Sequence, residues 1–236
     1  GSSDIPQGLL SINKAVLDEA LKNGIVKAVG KKIEVIKLGI AVTALFSALQ
    51  ILGPVGYYRR GPELGIKACF EGITPEIKRE LDKLESERKE ANKKLLSKLY
   101  RERLKETEHI QWFEAEDTYA GMGTKVIGTF CSFLSYQPRV VKPDKYLVGI
   151  TNVSSEIPGW GELKGSLIKA SVRVPKELQG LIEQGKMPSA VELLREASKE
   201  FGVADGHEFA ANVIVATSMR QTLIENLESA VGSFRH

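Results

Sequence analysis

The sequence predicts an α/β protein: a helical N-terminal part and a long linking helix, then a small mixed β-sheet domain with flanking helices. Three observations carry this. Ile77, Leu81, Leu84, Ala91, Leu95, Leu99 and Leu104 recur at an a/d-like spacing with charges on the other faces, the pattern of one long helix over about 75–107. After His109, runs that alternate apolar and polar interleave with runs of helical period in the order β-α-β-β-α-β-α. Before Thr74 the chain reads instead as helices around one short hairpin. These shifts divide it into residues 4–73, 74–109 and 110–236.

Each element has a local reason. Asn13–Asn23 reads as a helix with Ser11 as cap, a stripe of Val16, Leu17, Ala20 and Leu21, and Gly24 as stop. Ile25–Lys37 alternates around Gly30, a hairpin signal. Leu38–Tyr58 carries no charge and is flanked by Lys37 and Arg59-Arg60, so a membrane span competes with a buried helix over about Val42–Leu52. Thr43, Ser47, Gln50, Pro54 and three glycines favour the buried helix. Gly53–Gly65 reads as a loop from its Gly and Pro content. Thr74-Pro75 opens the long helix with a capping threonine and a proline at the first helical position.

In the C-terminal part, residues 109–116 read as a strand and 121–134 as a helix with Val126, Ile127, Phe130 and Leu134 on one side. Residues 145–153 and 161–174 read as strands. Ser189 and Glu192 form a capping box for a helix that buries Val191, Leu194, Ala197 and Phe201. Residues 208–217 read as a strand, and Ser218 with Gln221 as a second capping box opening a last helix to about Val231.

Composition bounds the function. Apolar residues make up 42% and charged residues 27%, ordinary for a globular protein. Two cysteines, Cys69 and Cys131, fit neither a disulfide framework nor a zinc site, so a reducing, cytoplasmic setting is expected. Net charge is +3, yet residues 111–236 hold 13 basic and 15 acidic groups. A nucleic-acid site there must be a local cluster and not a charged face. The charge runs of the long helix are balanced in sign and read as a solvated surface. No His-Glu-x-x-His or other metallohydrolase set occurs, and no serine or cysteine has an evident histidine partner. Gly121-Met122-Gly123-Thr124 does not match a dinucleotide fingerprint. It reads as a tight helix start, with backbone N–H groups facing a phosphate as the alternative.

Two features carry chemistry. In Phe201–Val215, "FGVADGHEFAANVIV", a turn-like Asp205-Gly206 precedes His207, one of three histidines. Gly206 lets backbone approach a ligand, His207 can donate to an oxyanion, and Ala210 and Ala211 leave room. In Lys169–Glu177, "KASVRVPKE", Ser171 and Arg173 alternate onto one strand face, and arginine's fork suits phosphate oxygens.

Together these resemble the nucleic-acid-binding domain that follows the catalytic domain in DHH-family phosphoesterases. That domain pairs a Ser-x-Arg strand with a later Gly-Gly-His-x-x-Ala-Ala-Gly turn; here the matches are Ser171-Val172-Arg173 and Asp205-Gly206-His207-Glu208-Phe209-Ala210-Ala211-Asn212. Gly8–Gly24 and Gly53–Gly72, followed by the charged helix, resemble the connecting region of archaeal RecJ-like members. Asp205 and Asn212 depart from the pattern, each standing where the family has glycine. The family's Asp-His-His motif and catalytic aspartates are absent. The resemblance implies single-stranded DNA or RNA binding through Ser171, Arg173, Gly206 and His207. It implies no cofactor in this chain, with manganese or magnesium belonging to a separate catalytic domain. The alternative it implies is a non-catalytic replication scaffold that binds the GINS complex or the replicative helicase. A membrane-attached regulator rests only on Leu38–Tyr58.

Overall fold

The computed structural model describes residues 14–234. Two compact units, residues 1–88 and 89–236, divide between Arg88 and Lys89, inside the long helix. Ser11, expected to cap the first helix, lies outside the described residues.

In the first unit, α1 (Lys14–Lys22) leads into a three-stranded antiparallel sheet of β1 (Val26–Val29), β2 (Lys32–Val35) and β3 (Ile40–Ala41). The β1–β2 hairpin turns at Gly30-Lys31, with Gly30 at φ +60°. Helix α2 (Val42–Val55) buries Ala48, Ile51, Leu52 and Val55 and leaves Thr43, Ala44 and Ser47 exposed. Among the described residues no helix is long and apolar enough to cross a membrane.

The expected loop at Gly53–Gly65 is a correction. Helix α2 continues through Pro54, and α3 (Gly61–Glu71) starts at Gly61-Pro62, where proline suits the first turn. The glycines that suggested a loop serve close packing instead. A Cβ on Gly61 would sit 2.1 Å from the Leu52 carbonyl oxygen and 2.7 Å from the Gly56 Cα.

Helix α4 (Pro75–Glu102) is capped by Thr74, whose Oγ1 accepts from the Ile77 N–H at 3.4 Å. Ile77, Leu84, Ala91, Leu95 and Leu99 are all buried, as the spacing predicts. The helix stops at Glu102, five residues before the expected end, because Arg103 turns left-handed at φ +65°.

The second unit is built on a six-stranded mixed sheet. Its strands are β4 (Lys105–Glu106), β5 (Ile110–Glu116), β6 (Tyr146–Val153), β9 (Leu167–Arg173), β10 (Asp205–His207) and β11 (Ala210–Ala216), in the order β10-β11-β9-β6-β5-β4. Only β5 and β6 pair in parallel. A small hairpin of β7 (Glu156–Ile157) and β8 (Gly161–Glu162) interrupts what the sequence suggests is one strand over 161–174. Among the described residues, four helices follow the end of α4 in this unit: α5 (Lys125–Leu134), α6 (Lys176–Glu183), α7 (Ala190–Ser198) and α8 (Arg220–Gly232).

One sheet face carries Tyr146, Val148, Ile150, Ile168, Ala170, Val172, Ala211, Val213 and Val215, and α6, α7 and α8 bury it with Leu178, Leu194, Leu223 and Leu227. The Ser189–Glu192 capping box forms as expected. The one expected at Ser218 and Gln221 does not: a 3-10 turn (Thr217–Met219) leads into α8, with no side-chain cap.

The opposite face is only partly covered. Helix α5 lies over β5, β6 and β9, pairing Phe130 with Phe113 at 5.7 Å between ring centroids. It fits closely because Gly149 has no side chain: a Cβ there would sit 2.3 Å from Cys131 Sγ. Beyond α5, strands β11 and β10 are left open, and Ile214 on that face is 44% exposed.

Candidate nucleic-acid interface

The open half of this face holds His207, and its border with α5 holds Ser171 and Arg173. Register places Arg173 opposite Ala210, and Ala210 opposite His207. Directly opposed residues share a face. The row His207–Ala210–Arg173 therefore crosses three strands, with about 10 Å between its ends at about 4.8 Å per strand. A second row, Asp205–Asn212–Ser171, runs beside it. The stretch Asp205–His207 is a strand and not a turn; the turn falls at Glu208-Phe209.

Gly206 is required by the hairpin itself. Its φ is +153°, and a Cβ there would sit 2.3 Å from the Ala210 carbonyl oxygen and 2.5 Å from the Ala211 Cα. Register puts it on the packed face, opposite Ala211 and Val172, away from His207. His207 is exposed, and its Nδ1 accepts from the Phe209 N–H at 3.4 Å. Burial, with the Arg173 charge nearby, holds its pKa below the ordinary 6.5.

Arg173 is fixed in place. Its Nε donates to Ser132 Oγ (2.8 Å), one terminal nitrogen to the Gly128 carbonyl (2.9 Å) and the other to the Val172 carbonyl (2.7 Å). Two of its five N–H groups remain. Gly128 makes room for it, since a Cβ there would lie 2.7 Å from the guanidinium nitrogen. Ser171 beside it is fully buried, and its hydroxyl has no hydrogen-bond partner.

Lys169, which the sequence analysis did not single out, shares this face. It is half-buried, and its pKa is lowered, first by burial and then by the positive charges of Arg173 and Lys125. Burial lowers that of Arg173 as well. Neither Lys169 nor Arg173 forms an ion pair among the described residues. Uncompensated, partly desolvated cations favour an anionic ligand. Asp205 is the exposed acid on the same face, and the Asn212 side chain bonds its carbonyl, not its carboxylate. Lys169 was legible: it is two residues before Ser171, in the same alternation.

One group could be read as a metal site. Glu108, His109 and Glu228 bring ligand atoms within 4.8 Å of one another. The Glu228 carboxylate already accepts from Thr107 Oγ1 and the His109 N–H, and lies 2.6 Å from His109 Nδ1. These bonds tie α8 to the turn between β4 and β5. With His109 and Glu228 so engaged, the three residues offer too few free ligands for a metal pair that activates water. Cys131 is buried, and its thiol is pushed up to about 12, far from a reactive thiolate. Cys69 is exposed, and both cysteines are free.

No protein-family model and no curated protein matches the chain. Among solved structures, it is similar to exonuclease RecJ bound to manganese, at 17% identity and TM-score 0.50, over 86% of this chain and 42% of that one. It is also similar to RecJ from Thermus thermophilus in complex with Mn2+, at 16% identity and TM-score 0.51, over 99% of this chain and 29% of that one. The chain thus spans less than half the length of either protein. The likeness is one of architecture, and in architecture this chain has a RecJ-like fold.

Proposed function

We propose that this chain binds single-stranded DNA or RNA, as the substrate-holding part of a RecJ-like exonuclease. The observation that carries the reading is the sheet face where Lys169 and Arg173 stand without carboxylate partners, with Arg173 in register, through Ala210, with His207. Lys169 and His207 contact phosphate directly. Arg173 contributes charge and its two remaining N–H groups. Catalysis, and the Mn2+ or Mg2+ it needs, belongs to residues outside this chain, so binding survives chelation of metal.

Fluorescence anisotropy with a labelled ten-nucleotide single strand at low salt tests this. A charge-assisted hydrogen bond contributes about 1.5–3 kcal/mol, so Lys169→Ala is expected to weaken binding roughly 10- to 100-fold. Asp205→Gly removes an acid from the face and is expected to tighten it. Unchanged binding in both Lys169→Ala and His207→Ala would sink the reading and put a protein-binding scaffold role ahead.

A further inference from the structure

Helix α5 borders the cationic face with a stripe of its own. Lys125, Thr129 and Ser132 are spaced i, i+4, i+7 and are all exposed, which places them on one side of the helix. The turn that continues α5 carries Tyr136, 72% exposed. The backbone keeps its sense through that turn: Ser135 N–H donates to the Cys131 carbonyl and Tyr136 N–H to the Phe133 carbonyl. Phe133, next to the stripe, is 46% exposed.

The stripe is joined to the sheet at Ser132, whose Oγ accepts from Arg173 Nε, and Lys125 lies near enough to Lys169 for its charge to lower the Lys169 pKa. Strand β9 therefore runs beside α5 in the same direction, Lys169 by the start of the helix and Arg173 by its last turn. Tyr136 lies beyond Arg173 along the helix.

We propose that α5 and β9 together form a track for a single strand of several nucleotides, with phosphates along Lys125, Lys169 and Arg173 and a base stacked on Tyr136. This rests on the nucleic-acid reading above and extends it from a phosphate site to a polymer site. Eleven residues at about 1.5 Å each make the track about 16 Å long. At about 3.4 Å per stacked nucleotide that is roughly five nucleotides, more than a dinucleotide can fill. An exposed aromatic ring beside a row of cations is the arrangement that holds unpaired bases without reading their sequence. A duplex, whose bases are already stacked, cannot use Tyr136 in this way.

The test is anisotropy with fluorescein-labelled oligothymidylates of two, five and ten nucleotides at low salt. Affinity is expected to climb at least 10-fold from two to five nucleotides and to level off by ten. Tyr136→Ala is expected to cost about 10-fold on the five- and ten-nucleotide probes and little on the two-nucleotide probe. Tyr136→Phe, which keeps the ring, is expected to bind as the parent does. Equal affinity for two and ten nucleotides, or unchanged binding in Tyr136→Ala, overturns the track. If Lys169→Ala still weakens binding in that case, the phosphate site stands without it. If no probe binds, or neither Lys169→Ala nor His207→Ala changes binding, both readings fall together.

Discussion

Arg173 shows how a residue found in the sequence can carry a second, structural role that the sequence does not display. Its alternation with Ser171 marks it as a ligand group, yet two of its N–H groups hold α5 to β9 and a third bonds the Val172 carbonyl of its own strand. The partner that explains this is Gly128, 45 residues earlier, and nothing local to Gly128 announces it. Gly128→Ala separates the two roles. Alanine gains up to about 1 kcal/mol of helix propensity, while displacing the guanidinium loses a hydrogen bond of similar worth. Stability measured by urea unfolding should stay within about 1 kcal/mol of the parent, while single-strand affinity falls several-fold. Unchanged affinity would mean that the guanidinium's position does not matter to the ligand. His207 gives a pH signature. Its pKa is depressed in the free protein, so below the unfolded value near 6.5 the unfolded chain binds more protons and folding weakens as pH falls. A bound phosphate has the opposite preference and takes up a proton with the imidazole. Affinity should therefore rise as pH drops below about 6.5, and His207→Ala should flatten that rise. A parent profile level from pH 8 to 5.5 would remove His207 from the site.

At the scale of elements, the sequence is most legible where a local device fixes the structure. Thr74-Pro75, the heptad-spaced Ile77, Leu84 and Ala91, and the Ser189–Glu192 box can each be read within a few residues. It fails where tertiary contact decides. Gly56 and Gly61 look like loop residues but let α2 and α3 meet backbone to backbone. Leu104 continues the apolar pattern of α4, but Arg103 turns the chain into β4, which pairs with Lys105 opposite Trp112 and Glu106 opposite Gln111. Ser218 has the spacing of a cap, but it sits within a 3-10 turn whose first residue is anchored by Thr217 N–H to the Ser166 carbonyl at 2.9 Å. The two serines make a paired prediction. Ser189→Ala should cost about 1 kcal/mol, because its hydroxyl caps α7. Ser218→Ala should cost close to nothing. Equal losses in thermal unfolding would show that the cap geometry is not what stabilises α7.

Across the whole molecule, the charge balance and the site point to the same kind of binding. The order of strands, with one parallel pair among antiparallel neighbours, is set by which faces α5 to α8 must cover, and periodicity alone does not encode it. The charge map, by contrast, is legible from the start. Residues 111–236 carry 13 basic and 15 acidic groups, so long-range attraction to a polyanion is weak and the site must act locally. The long helix has many cations, but several are matched within a turn by acids, as in Lys78 with Asp82 and Lys94 with Glu90. Such exposed pairs leave little net field to draw a strand along the helix. The salt dependence of binding distinguishes the two surfaces. For single strands, log K falls against log[salt] with a slope of about −0.7 for each phosphate neutralised. Lys125, Lys169 and Arg173 are three cations, so the slope at pH 8 should be about −2. Below pH 6, where bound His207 is protonated, it should steepen to nearly −3, and His207→Ala should return it to about −2. A slope of −5 or steeper at pH 8 would mean that many more lysines are engaged, those of the long helix among them, and that the open sheet face is not where the strand is held.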